Sequence, residues 1–481
     1  MLPALQILRD KPISSYPVEM RPAVARQWQF YFGREKLIDF IARVAPHEPP
    51  PPHLRLLIDI FQRCRTERVR ALISMPPRAG KSITIKRALA WWTQISPYDL
   101  NCYASYNSDF ASDQSRECRA IAEAAGVGIS RAKDTAGHWL TQEGGGLFSA
   151  GLNAGITGRG VGGIFVVDDP YANPGDARSS AVRKGIKLNF NQVVRTRLEG
   201  FASAIVVHTR WVPSDLIGEL VAEGGWEHIN IPAIAGPNDP VGRSIGEPLW
   251  PDRPQFTLDS LNETKRIDEF TFAALYQGDP VPEGTRMFYG EPRYWDPKKT
   301  DLTGCKFVIG ADPATTAKTS ADFSAAFALA IKPPFKCPTV YVLDGYRRQV
   351  TTPQLCRELR VFQQRNHRAA MFVEAVAGFK AVPQILKELE PLLKIEEAPV
   401  KGDKRQRAEL SASAWNDGRI LLPMTDPYLQ DATEQPPWVA ALAHELRNFT
   451  GIDDDHDDQV DAMSHAYNAS VQSGATMADI L

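Results

Sequence analysis

A chain of 481 residues with 43% apolar and 23% charged residues is long enough for two or three domains with their own cores, and this composition excludes a disordered or fibrous protein. The formal net charge of -2 decides nothing about nucleic acid, because a whole-chain balance hides local patches. Six cysteines (Cys64, Cys102, Cys118, Cys305, Cys337, Cys356) stand without a CxxC pair, which argues against a zinc site and for a reducing compartment. The apolar runs are short and interrupted, so neither a signal peptide nor a membrane span is expected, and a cytoplasmic location is.

Residues 1–52 form a mixed N-terminal segment closed by the proline run at 49–52, a stiff boundary. The spacing of Leu54, Leu57, Ile58 and Phe61 predicts a helix over 53–65 that leads into the apolar run 69–73. Then comes Ser74-Met75-Pro76-Pro77-Arg78-Ala79-Gly80-Lys81-Ser82. Its second half keeps the chemical end of a phosphate-binding loop: backbone N–H groups from Arg78, Ala79 and Gly80 cradle phosphate oxygens, Lys81 reaches the terminal phosphates and Ser82 holds Mg2+. Met75 stands where the common motif has its first glycine. A helix over 83–95, a strand over 101–106 and a helix over 108–125 continue the pattern of a doubly wound parallel sheet.

A glycine-rich stretch at 151–163 feeds the apolar strand Ile164-Phe165-Val166-Val167, which ends in Asp168-Asp169. This is the form of a Walker B element, with Asp168 assigned to the metal and Asp169 to the attacking water. Arg159, in the glycine-rich loop, is either an arginine finger supplied in trans or a surface or DNA-contacting arginine. A basic helical region over 178–197 follows, then a strand over 202–207 whose exit carries Thr209, the candidate sensor of the terminal phosphate. The N-terminal domain is set at 53–235. Residues 236–300, rich in Pro and Gly around a helical piece at 258–277, read as a linker or hinge subdomain.

The second domain is set at 301–470, with a tail at 471–481. Strands over 306–314, 322–330 and 339–344 form an antiparallel meander, followed by a helix over 353–366, a strand over 369–374 ending in Glu374, a helix near 380–389, and an acidic stretch opening a last helix. That order is RNase H-like, and two-metal phosphodiester hydrolysis requires such clustered carboxylates. Asp312, Glu374 and one of Asp457, Asp458 or Asp461 are the candidate ligands. Asp458 is ranked first, and Asp461, three residues on, shares its helix face. The basic segment Lys401-Gly402-Asp403-Lys404-Arg405-Gln406-Arg407 is a candidate grip on the phosphodiester backbone.

The motifs MPPRAGKS, TGRGVGGIFVVDDP, VVHTRW, VIGADPA, FVEA, KGDKRQRA and HDDQVDA occur in that order over about residues 50 to 470. Together they resemble the large subunit of tailed-bacteriophage terminases. The resemblance implies an α/β chain with an N-terminal P-loop ATPase domain of the RecA-like (ASCE) kind and a C-terminal RNase H-like nuclease. It implies ATP and Mg2+ as cofactors, with Mn2+ able to serve the nuclease. The implied partners are double-stranded DNA, the portal of a procapsid, a terminase small subunit and further copies of the chain in a ring, all in the host cell cytoplasm. It also accounts for Arg78 inside a degenerate loop, places the coupling motif on Thr209 and the finger on Arg159, and maps the nuclease acids onto Asp312, Glu374 and Asp458. Asp169 departs from the glutamate found in many members. A helicase or repair ATPase with a fused nuclease, and a catalytically weak DNA-binding scaffold, are the alternatives. The first is weakened by the lack of a second phosphate loop after residue 306, the second by the presence of both acidic sets.

Overall fold

The computed structural model describes residues 35–152, 158–282, 284–314, 323–374, 381–389, 394–398, 402–429, 431–452, 454 and 456–472. They divide into two units: Met1–Leu261 with Thr271–Val281, and Asn262–Phe270 with Pro282–Leu481. The stretch 236–300, expected as a subdomain, is thus shared between the two units rather than forming a third. Its single expected helix is broken into α7 (Leu258–Ile267) and a π-helical turn at Phe272–Tyr276.

The first unit begins with α1 (Leu37–Val44) and α2 (Pro52–Arg63), whose Pro52 starts the helix where no N–H is needed. Leu54, Leu57, Ile58 and Phe61 form its buried stripe. Next in chain order come β1 (Arg70–Ser74), α3 (Lys81–Ile95), β2 (Leu100–Ser105), α4 (Ser108–Ala124), β3 (Ile129–Thr135), β4 (His138–Thr141), β5 (Gly146–Gly151), β6 (Ile164–Asp168), α5 (Ser180–Asn189), β7 (Ser203–His208), α6 (Leu216–Glu223) and β8 (Glu227–Asn230). The sheet runs β3-β4-β5-β2-β6-β7-β1-β8. All neighbours from β5 to β8 are parallel, while β3 and β4 add an antiparallel edge. Every residue of β6 and β7 is buried, as unbroken apolar runs covered on both faces should be. One consequence of the order matters for chemistry: β7 lies between β1 and β6, so the loops leaving all three strands emerge side by side.

In the second unit the elements are β9 (Arg293–Trp295), β10 (Lys306–Asp312), β11 (Ser324–Lys332), β12 (Thr339–Arg348), α8 (Thr352–Arg365), β13 (Ala370–Val373), α9 (Ala381–Leu389), β14 (Ile395–Glu397), α10 (Lys404–Asn416), β15 (Ile420–Pro423), α11 (Pro437–Asn448) and α12 (Asp458–Gln472). The sheet order is β14-β13-β10-β11-β12-β15-β9. The expected meander is present, with β10, β11 and β12 antiparallel, and β13 lies parallel to β10. This is an RNase H-like sheet extended at one side by β15 and β9. Helix α12 crosses β10 closely: a Cβ on Gly310 would stand 2.1 Å from the carbonyl oxygen of Ala462 and 2.5 Å from the backbone nitrogen of Ala466. Only glycine allows that approach.

Candidate active sites

In the first unit the loop after β1 turns through two left-handed residues, Arg78 (φ 59) and Gly80 (φ 88), and delivers Lys81 to the first turn of α3. Helix α2 supports it from outside, with His53 Nε2 3.0 Å from the carbonyl oxygen of Ala79. Lys81 Nζ is buried and donates to Thr209 Oγ1 (2.7 Å), to the Pro76 carbonyl (3.1 Å) and to the Met75 carbonyl (3.4 Å). Thr209 Oγ1 in turn donates to the Met75 carbonyl at 3.2 Å, and its backbone N–H donates to Asp169 Oδ1 at 3.2 Å. Thr209 therefore touches both the loop lysine and the second carboxylate. These contacts follow from the strand order, since β7 separates β1 from β6.

Asp168 is fully buried at the end of β6 and accepts a 2.5 Å hydrogen bond from Tyr103 Oη on β2, while its Oδ1 has no hydrogen-bond partner among the described residues. Burial first, and the adjacent Asp169 charge second, push its carboxyl up to about 6, against the pull of the Ser82 and Tyr103 hydroxyls. A buried carboxylate oxygen left without a donor, next to a serine hydroxyl, fits a hard divalent cation. Asp169 sits at φ 41, a left-handed conformation rare for a residue with a side chain. A cavity of about 550 Å³ opens over these groups, lined among others by Gly80, Lys81, Ser82, Asp169 and Thr209. The stacked rings of Tyr106 and Phe110, 5.1 Å apart, lie on its wall. Arg159 is not part of that wall: it is exposed, with its guanidinium 5.7 Å from the centre of the Phe148 ring. Five residues of the preceding glycine-rich stretch, 153–157, lie outside the described residues.

In the second unit Asp312 ends β10 and Glu374 follows β13, the neighbouring parallel strand; the Glu374 N–H donates to the Ala311 carbonyl at 3.0 Å. Asp461 comes from the first turn of α12. One carboxylate oxygen from each of Asp312, Glu374 and Asp461 lies within 4.8 Å of the others. Asp312 is pushed well above the usual carboxylate range, by burial and then by the charges of Glu374, Asp461 and Asp458. Burial works most strongly to raise Glu374, but a 2.8 Å contact with His465 Nε2, the charges of His465 and Arg407 and a hydrogen bond with Asp312 together hold it low. Asp461 Oδ2 accepts from Arg407 Nη2 at 3.1 Å, and its Oδ1 is buried without a hydrogen-bond partner among the described residues. Three carboxylates with an unmatched oxygen fit Mg2+ or Mn2+ better than zinc, which prefers nitrogen and sulfur.

Residues 309–470 match the family model described as the terminase RNaseH-like domain. No curated protein matches the chain. Among solved structures, the large terminase of a thermophilic bacteriophage aligns at 13% identity and a TM-score of 0.47, covering 90% of this chain and 98% of that one. The magnesium-bound large terminase nuclease of thermophilic phage G20c aligns at 16% identity and 0.28, covering 39% and 98%, and the Thermus phage P74-26 large terminase nuclease domain at 16% and 0.26, covering 38% and 94%.

Within the segment matched to the terminase RNaseH-like domain, the ranking expected at the start of α12 is reversed. Asp461, not Asp458, stands with Asp312 and Glu374. Asp458 is turned toward Arg347, whose Nη2 is 3.8 Å from its Oδ2. Asp457 is paired with Lys404. The reason is the phase of the helix: the close crossing at Gly310 brings the turn that carries Asp461 and Ala462, not the first residue, over the end of β10. Lys404 and Arg407 of the terminase-matched segment, expected to grip DNA, face the acidic residues instead. Two contributors were missed. His465 is four residues after Asp461, a spacing that could have flagged a shared helix face. Tyr103 carries no signal, being one aromatic residue in a buried strand.

Proposed function

We propose that this chain is the ATP-driven motor and nuclease of a phage DNA-packaging machine, moving double-stranded DNA into a procapsid and cutting concatemeric genomes. The observation that carries the reading is the acidic cluster Asp312, Glu374 and Asp461 within the segment matched to a terminase nuclease domain, in one chain with a phosphate loop. In the first unit Arg78 to Ser82 would cradle the phosphates of ATP, with Lys81 turning from Thr209 and the loop carbonyls toward them. Ser82 and Asp168 would hold Mg2+. Asp169 would orient water, and Thr209, bonded to both Lys81 and Asp169, would link the state of the site to the end of β7. Arg159, outside the lining of its own chain's cavity, would act on the site of a neighbouring copy. In the second unit Asp312, Glu374 and Asp461, with Asp458 close by, would hold Mg2+ or Mn2+. Bound metal supplies the activation of water and the neutralisation of the leaving oxygen. The portal, a small subunit and a ring of copies are the partners this reading entails.

Cleavage of supercoiled plasmid tests it, with wild type compared with Asp312→Asn and Lys81→Ala. Metal-dependent cutting by wild type and Lys81→Ala, lost in Asp312→Asn, with ATP hydrolysis lost only in Lys81→Ala, supports both halves. Equal cutting by wild type and Asp312→Asn removes the nuclease assignment.

A further inference from the structure

We infer that a groove beside the carboxylate cluster is a subsite for a DNA strand, with Arg347 and Arg357 on its phosphates and Trp438 stacked on a base. The inference rests on the nuclease reading and names the part of the chain that would hold the substrate. In register, Asp312 lies opposite Ala325, and Ala325 lies opposite Arg347. Directly opposed residues of antiparallel strands point to the same face, so Arg347 stands on the face of Asp312, two strand spacings or about 10 Å away. Beyond Tyr341 this edge of β12 has no strand partner among the described residues, since β15 pairs only at Val340 and Tyr341. A cavity of about 850 Å³ lies along that edge, between α8 and α11. A second, of about 490 Å³, continues it toward His456 and the start of α12, and the two share Arg347, Ala441 and Gln459.

The lining has the chemistry of a nucleic-acid groove. Arg347 is held against the face of Phe323, with its guanidinium carbon over the ring, 4.0 Å from the centre. The oxygens of Glu445 and Asp458 are 3.7 and 3.8 Å from its Nη2, too far for hydrogen bonds, and its Nε and Nη2 have no hydrogen-bond partner among the described residues. A guanidinium so fixed, with donors unmatched, is suited to a phosphate. Arg357 on α8 is exposed and makes no hydrogen bond or ion pair among the described residues. Arg348 and Arg365 also line the groove, the former 3.9 Å from Glu358 and the latter bound to Asp344. Trp438 packs edgewise on Phe327 (5.8 Å) and over Gly345, where a Cβ would stand 2.7 Å from its ring. Its remaining surface faces the groove. Cations spaced along a channel with an aromatic platform suit an extended strand better than a compact anion.

The test uses the full chain carrying Asp312→Asn, so that DNA stays intact, and the fluorescence anisotropy of a short labelled single strand and its duplex over a range of salt. Arg357→Ala and Arg347→Gln should each weaken binding about fivefold to tenfold and lower the salt slope by about one. Trp438→Ala should weaken the single strand about tenfold with the slope unchanged. Arg357 is exposed and its replacement leaves the core untouched; thermal unfolding checks the other two. If all three variants bind DNA with the parent's affinity and slope, the groove is not the subsite, and a partner such as a peptide strand added to the β12 edge takes its place. In that outcome the nuclease reading survives as long as the chain with Asp312 intact cuts plasmid. A parent that binds no DNA overturns the groove, and the nuclease reading with it if the chain with Asp312 intact also fails to cut plasmid.

Discussion

Asp458 and Asp461 differ by less than one helical turn, yet their surroundings assign them different work. Asp461 is matched to Arg407 on one oxygen and open on the other, within reach of Asp312 and Glu374, whereas Asp458 faces Arg347. Asp461→Asn should therefore lower the rate of plasmid cleavage about a hundredfold or more, the scale of losing one group that stabilises the transition state, and Asp458→Asn clearly less. Equal losses would show that both bind metal. His465 is the test of positioning: its bond to Glu374 helps to fix a carboxylate that Asp312 also touches. His465→Ala should weaken Mn2+ binding about tenfold to a hundredfold, measured by calorimetry, with the fold retained. Most of the acidic residues could be read from the sequence because each ends an apolar strand or opens a helix. Their ranking could not, because it depends on where α12 crosses β10. Partners such as Tyr103 and Arg407 were also hidden, since a hydrogen bond between distant strands leaves no local pattern.

At the level of elements, the strands buried on both faces were legible from their unbroken apolar runs, and β1, β6, β7 and β10 stand within a residue or two of their expected bounds. The edge formed by β3 and β4 was not expected at all. Ile129-Ser130-Arg131-Ala132-Lys133-Asp134-Thr135 is mostly polar and half-exposed, and it pairs through its backbone without an apolar face to announce it. The crossing of α12 over β10 makes the sharpest prediction at this scale. Gly310→Ala places a methyl group against backbone at 2.1 Å, and backbone cannot step aside as a side chain can. The variant should lose about 1–3 kcal/mol of stability, the cost of overpacking a closed core, and its metal affinity should fall as Asp461 is lifted from Asp312. Thermal unfolding and Mn2+ titration of the same sample read the two effects, and a variant with native metal affinity would show that the helix adjusts without moving its first turn.

For the whole chain, a finger acting in trans, as proposed for Arg159, would make activity a property of assembly. Lys81→Ala removes the phosphate contact but leaves Arg159 intact, and Arg159→Ala does the reverse. Each alone should hydrolyse ATP about a thousandfold more slowly than wild type, the scale of losing an arginine finger, and a mixture should recover part of the rate at high protein concentration. Failure of the mixture to exceed the sum of its parts would confine Arg159 to its own chain or to another role. Among the described residues no helix is long and apolar enough to cross a membrane.

The polarity of the strands has a practical side. In the first unit Lys81, Asp168, Asp169 and Thr209 gather at or beyond the C-terminal ends of β1, β6 and β7, and in the second Asp312 and Glu374 do so at β10 and β13. The turns that enter these sheets, Gly200 and Phe201 before β7 and Thr303 and Gly304 before β10, are exposed and lie one strand length from the chemistry. They are natural attachment points for a pair of fluorophores, one per unit, so that energy transfer can follow the units through a catalytic cycle without a label intruding on either site.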